Sequence, residues 1–186
     1  MILKLPLPYI QCKHYGQVQR PRLIVLHSME ENPLEPHIAK NVAHYFSDCE
    51  EQVGTHFCID NECVIQCCQT SIKTFGARGC NEDAIHIEHA GYAHYMLSEW
   101  MRNMGTGLDM SAYLSAILCK KWDIVVQFLG VKELPGFTIH KGMTGITTHN
   151  AITHAFGIHH GHTDPGSEFP IMHYLREVST YFKIIK

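Results

Sequence analysis

Short apolar runs separated by polar breaks make up most of the chain, and their spacing changes from run to run. Leu23-Ile24-Val25-Leu26 is continuous and rich in β-formers, which suits a strand buried on both faces of a sheet. It ends at His27-Ser28, and a stretch with two prolines, Asn32 to Pro36, then breaks the chain. Ile38, Val42, Tyr45 and Phe46 follow at i, i+4, i+7 and i+8, the stripe of an amphipathic helix. Thr55–Ile59 and Val64–Cys68 read as short strands joined through the turn-like Asp60-Asn61-Glu62, a hairpin. Ala84–Ala90 (AIHIEHA) alternates, so Ile85 and Ile87 share one face and His86 and Glu88 the other.

Met110, Tyr113, Leu114, Ile117, Leu118 and Trp122 keep the helical period and predict a helix over 109–122 with Asp109 as N-cap. Val125–Leu129 predicts a strand, Gly145–Thr148 a short one, and Asn150–Phe156 one or two helical turns. Pro170 opens a last helix striped with Ile171, Tyr174, Leu175, Val178 and Phe182. Residues 1–22 read as an irregular arm and 23–186 as one domain. Strands interleaved with helices, one hairpin among them, predict an α/β fold: a single domain with a central mixed β-sheet flanked by helices.

Composition narrows this picture. With 186 residues, 45% hydrophobic and 18% charged, the chain has enough apolar material for its own core and is neither disordered nor a coiled coil. No apolar run reaches the roughly 18 residues of a membrane span. A formal net charge of −3, without a basic face, speaks against nucleic acid as a partner. The opening MILKLPLPYI lacks the long apolar region and cleavage site of a secretory leader. Cytoplasmic synthesis is therefore expected, with the eight cysteines as buried reduced thiols rather than a disulfide framework.

Fifteen histidines shift attention to metal chemistry. His27 stands where a buried strand meets a loop, a place where a rigid scaffold presents functional groups. Glu88 is a carboxylate on an apolar strand, costly to bury unless paired or used. Residues 147–166 (TTHNAITHAFGIHHGHTDPG) hold His149, His154, His159, His160, His162 and Asp164. Imidazole and carboxylate are zinc ligands, and a catalytic zinc takes three protein groups and leaves a position for water. The turn Asp164-Pro165-Gly166 holds its carboxylate in place, unlike a histidine-rich tract that merely buffers metal. The cysteines lack zinc-knuckle spacing, and no nucleophile elbow, Walker loop, dinucleotide fingerprint or H-E-x-x-H is present.

Six blocks occur in a meaningful order: IVLHSME (24–30), NVAHYF (41–46), THFCIDN (55–61), IHIEHAGYA (85–93), GITTHN (145–150) and HTDPGSEFP (162–170). In these the chain resembles the zinc N-acetylmuramoyl-L-alanine amidases, which share a fold with the peptidoglycan recognition proteins, and especially the amidase domains of phage endolysins. The likeness spans about residues 23–178. It implies a Zn2+ held by His27, His149 and Asp164, with Glu88 as general base and a protonated His162 facing the oxyanion. The implied substrate is bacterial peptidoglycan, cut between the lactyl group of N-acetylmuramic acid and the L-alanine of the stem peptide. It also implies action on the host wall after release from the cytoplasm. His154, ten residues before Asp164, is the rival to His149; a strand end at Thr148 favours His149. Phe75-Gly76 stands where many relatives carry Trp-His, and Thr55 where some carry a tyrosine. No wall-binding module is expected after Lys186. The alternatives are a muropeptide-binding module without catalysis and a zinc peptidase acting within the stem peptide.

Overall fold

The computed structural model describes residues 6–130, 142–156 and 161–185. Five strands form one sheet: β1 (Leu23–Ser28), β2 (Phe57–Ile59), β3 (Val64–Gln66), β4 (Ala84–His89) and β5 (Gly145–Thr148). Their order is β3-β2-β4-β1-β5. β1 lies parallel to β4 and β5, β2 is parallel to β4, and β3 turns back antiparallel on β2. This is the mixed sheet that the interleaved pattern predicts.

Among the described residues five helices cover the sheet: α1 (Ile38–Asp48), α2 (Leu97–Asn103), α3 (Gly105–Trp122), α4 (His149–Ala155) and α5 (Ile171–Ile184). Alternation along the strands divides the core. Ile24, Leu26, Ile85, Ile87 and Ile146 pack with Trp100, Leu114 and Tyr174 in the layer built by α2, α3 and α5. On the other face Leu23, Val25 and Ala84 meet Ala151 and Ile152 of α4, while Ala39 and Ala43 of α1 pack on Cys58 and Ile65. Each fully buried aliphatic side chain contributes about 1.5–3 kcal/mol, so the central strands anchor the domain. No described helix is long and apolar enough to cross a membrane.

Two local expectations need correction, and one helix went unpredicted. α3 begins at Gly105 with Met104 at its N-cap, not at Asp109. Asp109 lies inside the helix and accepts a hydrogen bond from the Tyr181 hydroxyl at 2.5 Å, which ties α3 to α5. Val125–Leu129 forms no strand: only an isolated bridge, Phe128 to Ile146, joins it to the edge of β5. Val125 is turned toward solvent, and the backbone exchange is limited to Gln127 and Leu129 with Ile146. α2 escaped the pattern because its seven residues place only Trp100 in the core.

The described part of the arm runs along β3. Ile10 N–H donates to Gln66 O at 3.0 Å, Gln66 N–H to Pro8 O at 2.9 Å, and Cys12 N–H to Cys67 O at 2.8 Å. The Gln19 amide donates to Ala84 O at 2.9 Å and Thr70 O at 3.2 Å. The bonds of residues 8–12 cover the β3 edge, which would otherwise expose unpaired backbone groups. All eight cysteines are free, and all but Cys63 are buried.

Two buried histidines hold the sheet to its surroundings. His56 Nδ1 accepts from His86 N–H at 3.0 Å, and its Nε2 meets Ile72 O at 2.9 Å. His89 uses Nδ1 on His27 O at 3.0 Å and Nε2 on Ser111 Oγ at 2.7 Å. Burial pushes both imidazoles down to about 4 from 6.5. The unfolded chain therefore takes up their protons first as pH falls below 6.5, and each then removes about 1.4 kcal/mol of stability per pH unit until about pH 4. Burial also lowers His27 and His86, in the same direction, whereas Glu88, raised by burial, offsets part of the loss. Urea unfolding of the metal-free protein should show stability dropping from pH 6.5 to 4.5; a flat profile would contradict this account.

Candidate active site

The parallel register of β1 and β4 sets His27 directly beside Glu88. Both point to the face shared with α1 and α4, at the carboxyl ends of their strands, where open α/β sheets leave a crevice. β5, also parallel to β1, ends at Thr148, and His149 is the first residue of α4. The Thr148 hydroxyl caps that helix by accepting from Ala151 N–H at 3.2 Å. Asp164 comes from the loop before α5, where its backbone O accepts from Asn150 N–H at 2.9 Å. Gly166 secures this loop: its φ is +93°, and a Cβ there would meet Ala93 O at 1.9 Å, so no larger residue fits.

His27, His149 and Asp164 converge. His27 Nδ1 lies 3.0 Å from Asp164 Oδ2, and His149 Nδ1 lies 3.1 Å from Asp164 Oδ1. One donor atom from each residue falls within 4.8 Å of the other two. Burial favours the neutral form of the Asp164 carboxyl, but hydrogen bonds from His149 and His27 overcome it and hold the group well below the usual carboxylate range. Burial lowers His27 despite its contact with Asp164. Two imidazole nitrogens and one ionised carboxylate, facing one point, form a donor set that suits zinc with a position left for water.

Glu88 stands beside this cluster without joining it, its Oε1 3.9 Å from His27 Nδ1. Burial, then the negative charge of Asp164, raises its pKa well above the usual value. A carboxyl whose proton is held more tightly in this way suits proton transfer. His162 lies at the rim, half exposed, stacked on His149 with ring centroids 4.0 Å apart and its Nδ1 3.5 Å from Asp164 Oδ1. His154 is exposed on α4, away from the cluster. His159 and His160 lie outside the described residues.

A cavity of about 480 Å³ opens over these groups, lined also by Glu30, Tyr45, Phe46, Phe75, Gly76 and Ala93. A second, of about 540 Å³, continues from it past Ser28, Tyr45, Phe46 and Glu88 toward Glu31, Glu35 and Asn41. The two cavities share Ser28, Tyr45, Phe46 and Glu88 in their walls, so they form one groove along α1. The periodicity of α1 marks Tyr45 and Phe46 as core, yet Tyr45 is 53% exposed and walls the groove. That exposure is the signal a helical stripe alone does not carry. Phe75 and Gly76 line the pocket, whereas Thr55 is buried under the sheet with its hydroxyl on His86 O at 3.1 Å.

Residues 17–167 match the family model described as N-acetylmuramoyl-L-alanine amidase. The fold is similar to that of a Staphylococcus aureus hydrolase, AmiA, solved with its ligand: TM-score 0.72, 15% identity, 98% of this chain and 86% of that one covered. It is also similar to an AmpD derivative, with TM-score 0.66, 16% identity and coverage of 96% and 99%. A mutant endolysin from Bacillus subtilis gives TM-score 0.57 at 15% identity, with coverage of 100% and 99%. At these identities the structures speak for the fold alone. No curated protein matches the chain by sequence.

Proposed function

The chain belongs to the N-acetylmuramoyl-L-alanine amidase family, and from that premise we propose that it hydrolyses peptidoglycan as a zinc enzyme of the phage endolysin kind. The bond cut joins the lactyl group of N-acetylmuramic acid to the L-alanine of the stem peptide. The observation that carries the zinc reading is the convergence of His27, His149 and Asp164 on one point beside a raised carboxyl.

His27, His149 and Asp164 would hold the metal. When bound, zinc supplies a Lewis acid and lowers the pKa of water toward about 7. Glu88, as carboxylate, takes a proton from the attacking water and returns it to the leaving amine of L-alanine. His162, at the open rim beside His149, presents an N–H to the oxygen that gains charge in the tetrahedral transition state. Tyr45, Phe46 and Phe75 offer apolar walls to the glycan and peptide, and the groove toward Glu31 and Glu35 accommodates the rest of the strand. The wall is reached after the producing cell's membrane is breached.

Digestion of purified peptidoglycan tests this. Mass spectrometry should find intact stem peptides with free L-alanine amino termini, and a chelator should abolish their release until zinc is restored. Products cut within the stem would move the scissile bond. Full activity in a preparation shown metal-free by elemental analysis would remove zinc from the mechanism.

A further inference from the structure

Three buried histidines surround His27 and Glu88, and they differ in one respect. His56 and His89 each have both ring nitrogens engaged by protein groups. His86 does not. Its Nδ1 lies 3.1 Å from His27 Nε2, and its Nε2 is buried with no hydrogen-bond partner among the described residues. A buried ring nitrogen without a partner is a stability cost that an aliphatic side chain of similar size would not carry. The one polar bond of the ring is spent on His27.

The tautomers follow from the site. Without metal, His27 Nδ1–H donates to the Asp164 carboxylate at 3.0 Å; to serve as a ligand, Nδ1 must give up that proton and offer its lone pair. The proton of the neutral ring then sits on Nε2 and is donated to His86 Nδ1. His86 in turn carries its own proton on Nε2, the nitrogen left unpaired. Resting on the zinc reading above, we infer that His86 is a positioning residue, which accepts from His27 Nε2–H and so fixes the tautomer and ring direction that aim Nδ1 at the metal. Ligating histidines depend on such a partner for orientation and basicity.

The surroundings fix the His86 ring in turn. It stacks on His56, centroids 5.8 Å apart and planes 22° from parallel. On its other side Gly76 leaves the space it needs: a Cβ at residue 76 would lie 2.5 Å from His86 Cγ and 2.7 Å from Nδ1. Gly76 and His86 are therefore a matched pair, and the bare backbone at 76 in the pocket wall is what admits the imidazole behind His27.

Competition with a chelating indicator measures zinc affinity in the parent, His86→Leu, His86→Gln and Gly76→Ala. His86→Leu should bind zinc about 10–100-fold more weakly. His86→Gln, whose amide oxygen accepts a hydrogen bond, should recover most of the loss, and Gly76→Ala should weaken binding by displacing the ring. The melting temperature of metal-free His86→Leu should not fall. A His86→Leu variant with parental zinc affinity overturns the positioning role and leaves the zinc reading intact; a parent that binds no zinc overturns both. If His86→Leu does not fold, nitrogen-15 histidine spectra of the zinc-loaded parent decide the matter. Metal on His27 Nδ1 with a slowly exchanging proton on Nε2 supports the role, and metal on Nε2 overturns it.

Discussion

Replacing His149 with alanine should strip zinc from the protein and reduce peptidoglycan hydrolysis to background, whereas replacing His154 should leave both largely intact. The two histidines lie five residues apart, about 140° around a helix of 3.6 residues per turn. α4 realises that geometry: His149 opens the helix from the end of β5 and faces Asp164 at 3.1 Å, and His154 is exposed near its C-terminus. One metal cannot use both. Removing His149 deletes one of three donors and leaves the Asp164 carboxylate without one of the two hydrogen bonds that hold it ionised. Elemental analysis of the purified variants, alongside turnover on peptidoglycan, checks both halves. Zinc lost from His154→Ala and kept by His149→Ala would overturn the ligand assignment while leaving family membership standing.

Parts of this site are legible in a single sequence, and the reasons differ by residue. His27 and Glu88 show themselves because each interrupts an apolar strand with a group that burial penalises. The choice of His149 among the histidines of 147–166 rests on a strand ending at Thr148, which β5 does. The bond between His27 and His86 is not legible. It depends on the parallel register that sets Val25 against His86 and His27 against Glu88, and on the space left by Gly76, ten residues away in sequence. Tyr45 is hidden for the opposite reason: its helical spacing fits a core position, and only the open groove beside α1 turns it into a wall of the pocket. The same limit applies to the fold. A continuous apolar run predicts β1 and alternation predicts β4, whereas 125–129 has strand-forming residues but meets Ile146 at only one bridge.

Glu88→Gln should retain zinc yet lose about 10²-fold or more in turnover, the scale expected when a general acid–base group is removed. The amide preserves volume and hydrogen bonding but cannot take a proton from water. Zinc should remain because the three converging donors come from His27, His149 and Asp164, and Glu88 is not one of them. The pH profile gives a second reading. Burial and the neighbouring Asp164 charge raise the Glu88 pKa well above 4.5, and only the ionised form accepts a proton. Zinc, by its positive charge, draws that value down in the loaded enzyme; activity of the parent should fall as pH drops through the Glu88 pKa there, and the residual activity of Glu88→Gln should lack this acid limb. Zinc lost with the substitution would make Glu88 a ligand. Turnover near the parental level, with the acid limb unchanged, would place the base elsewhere in the groove.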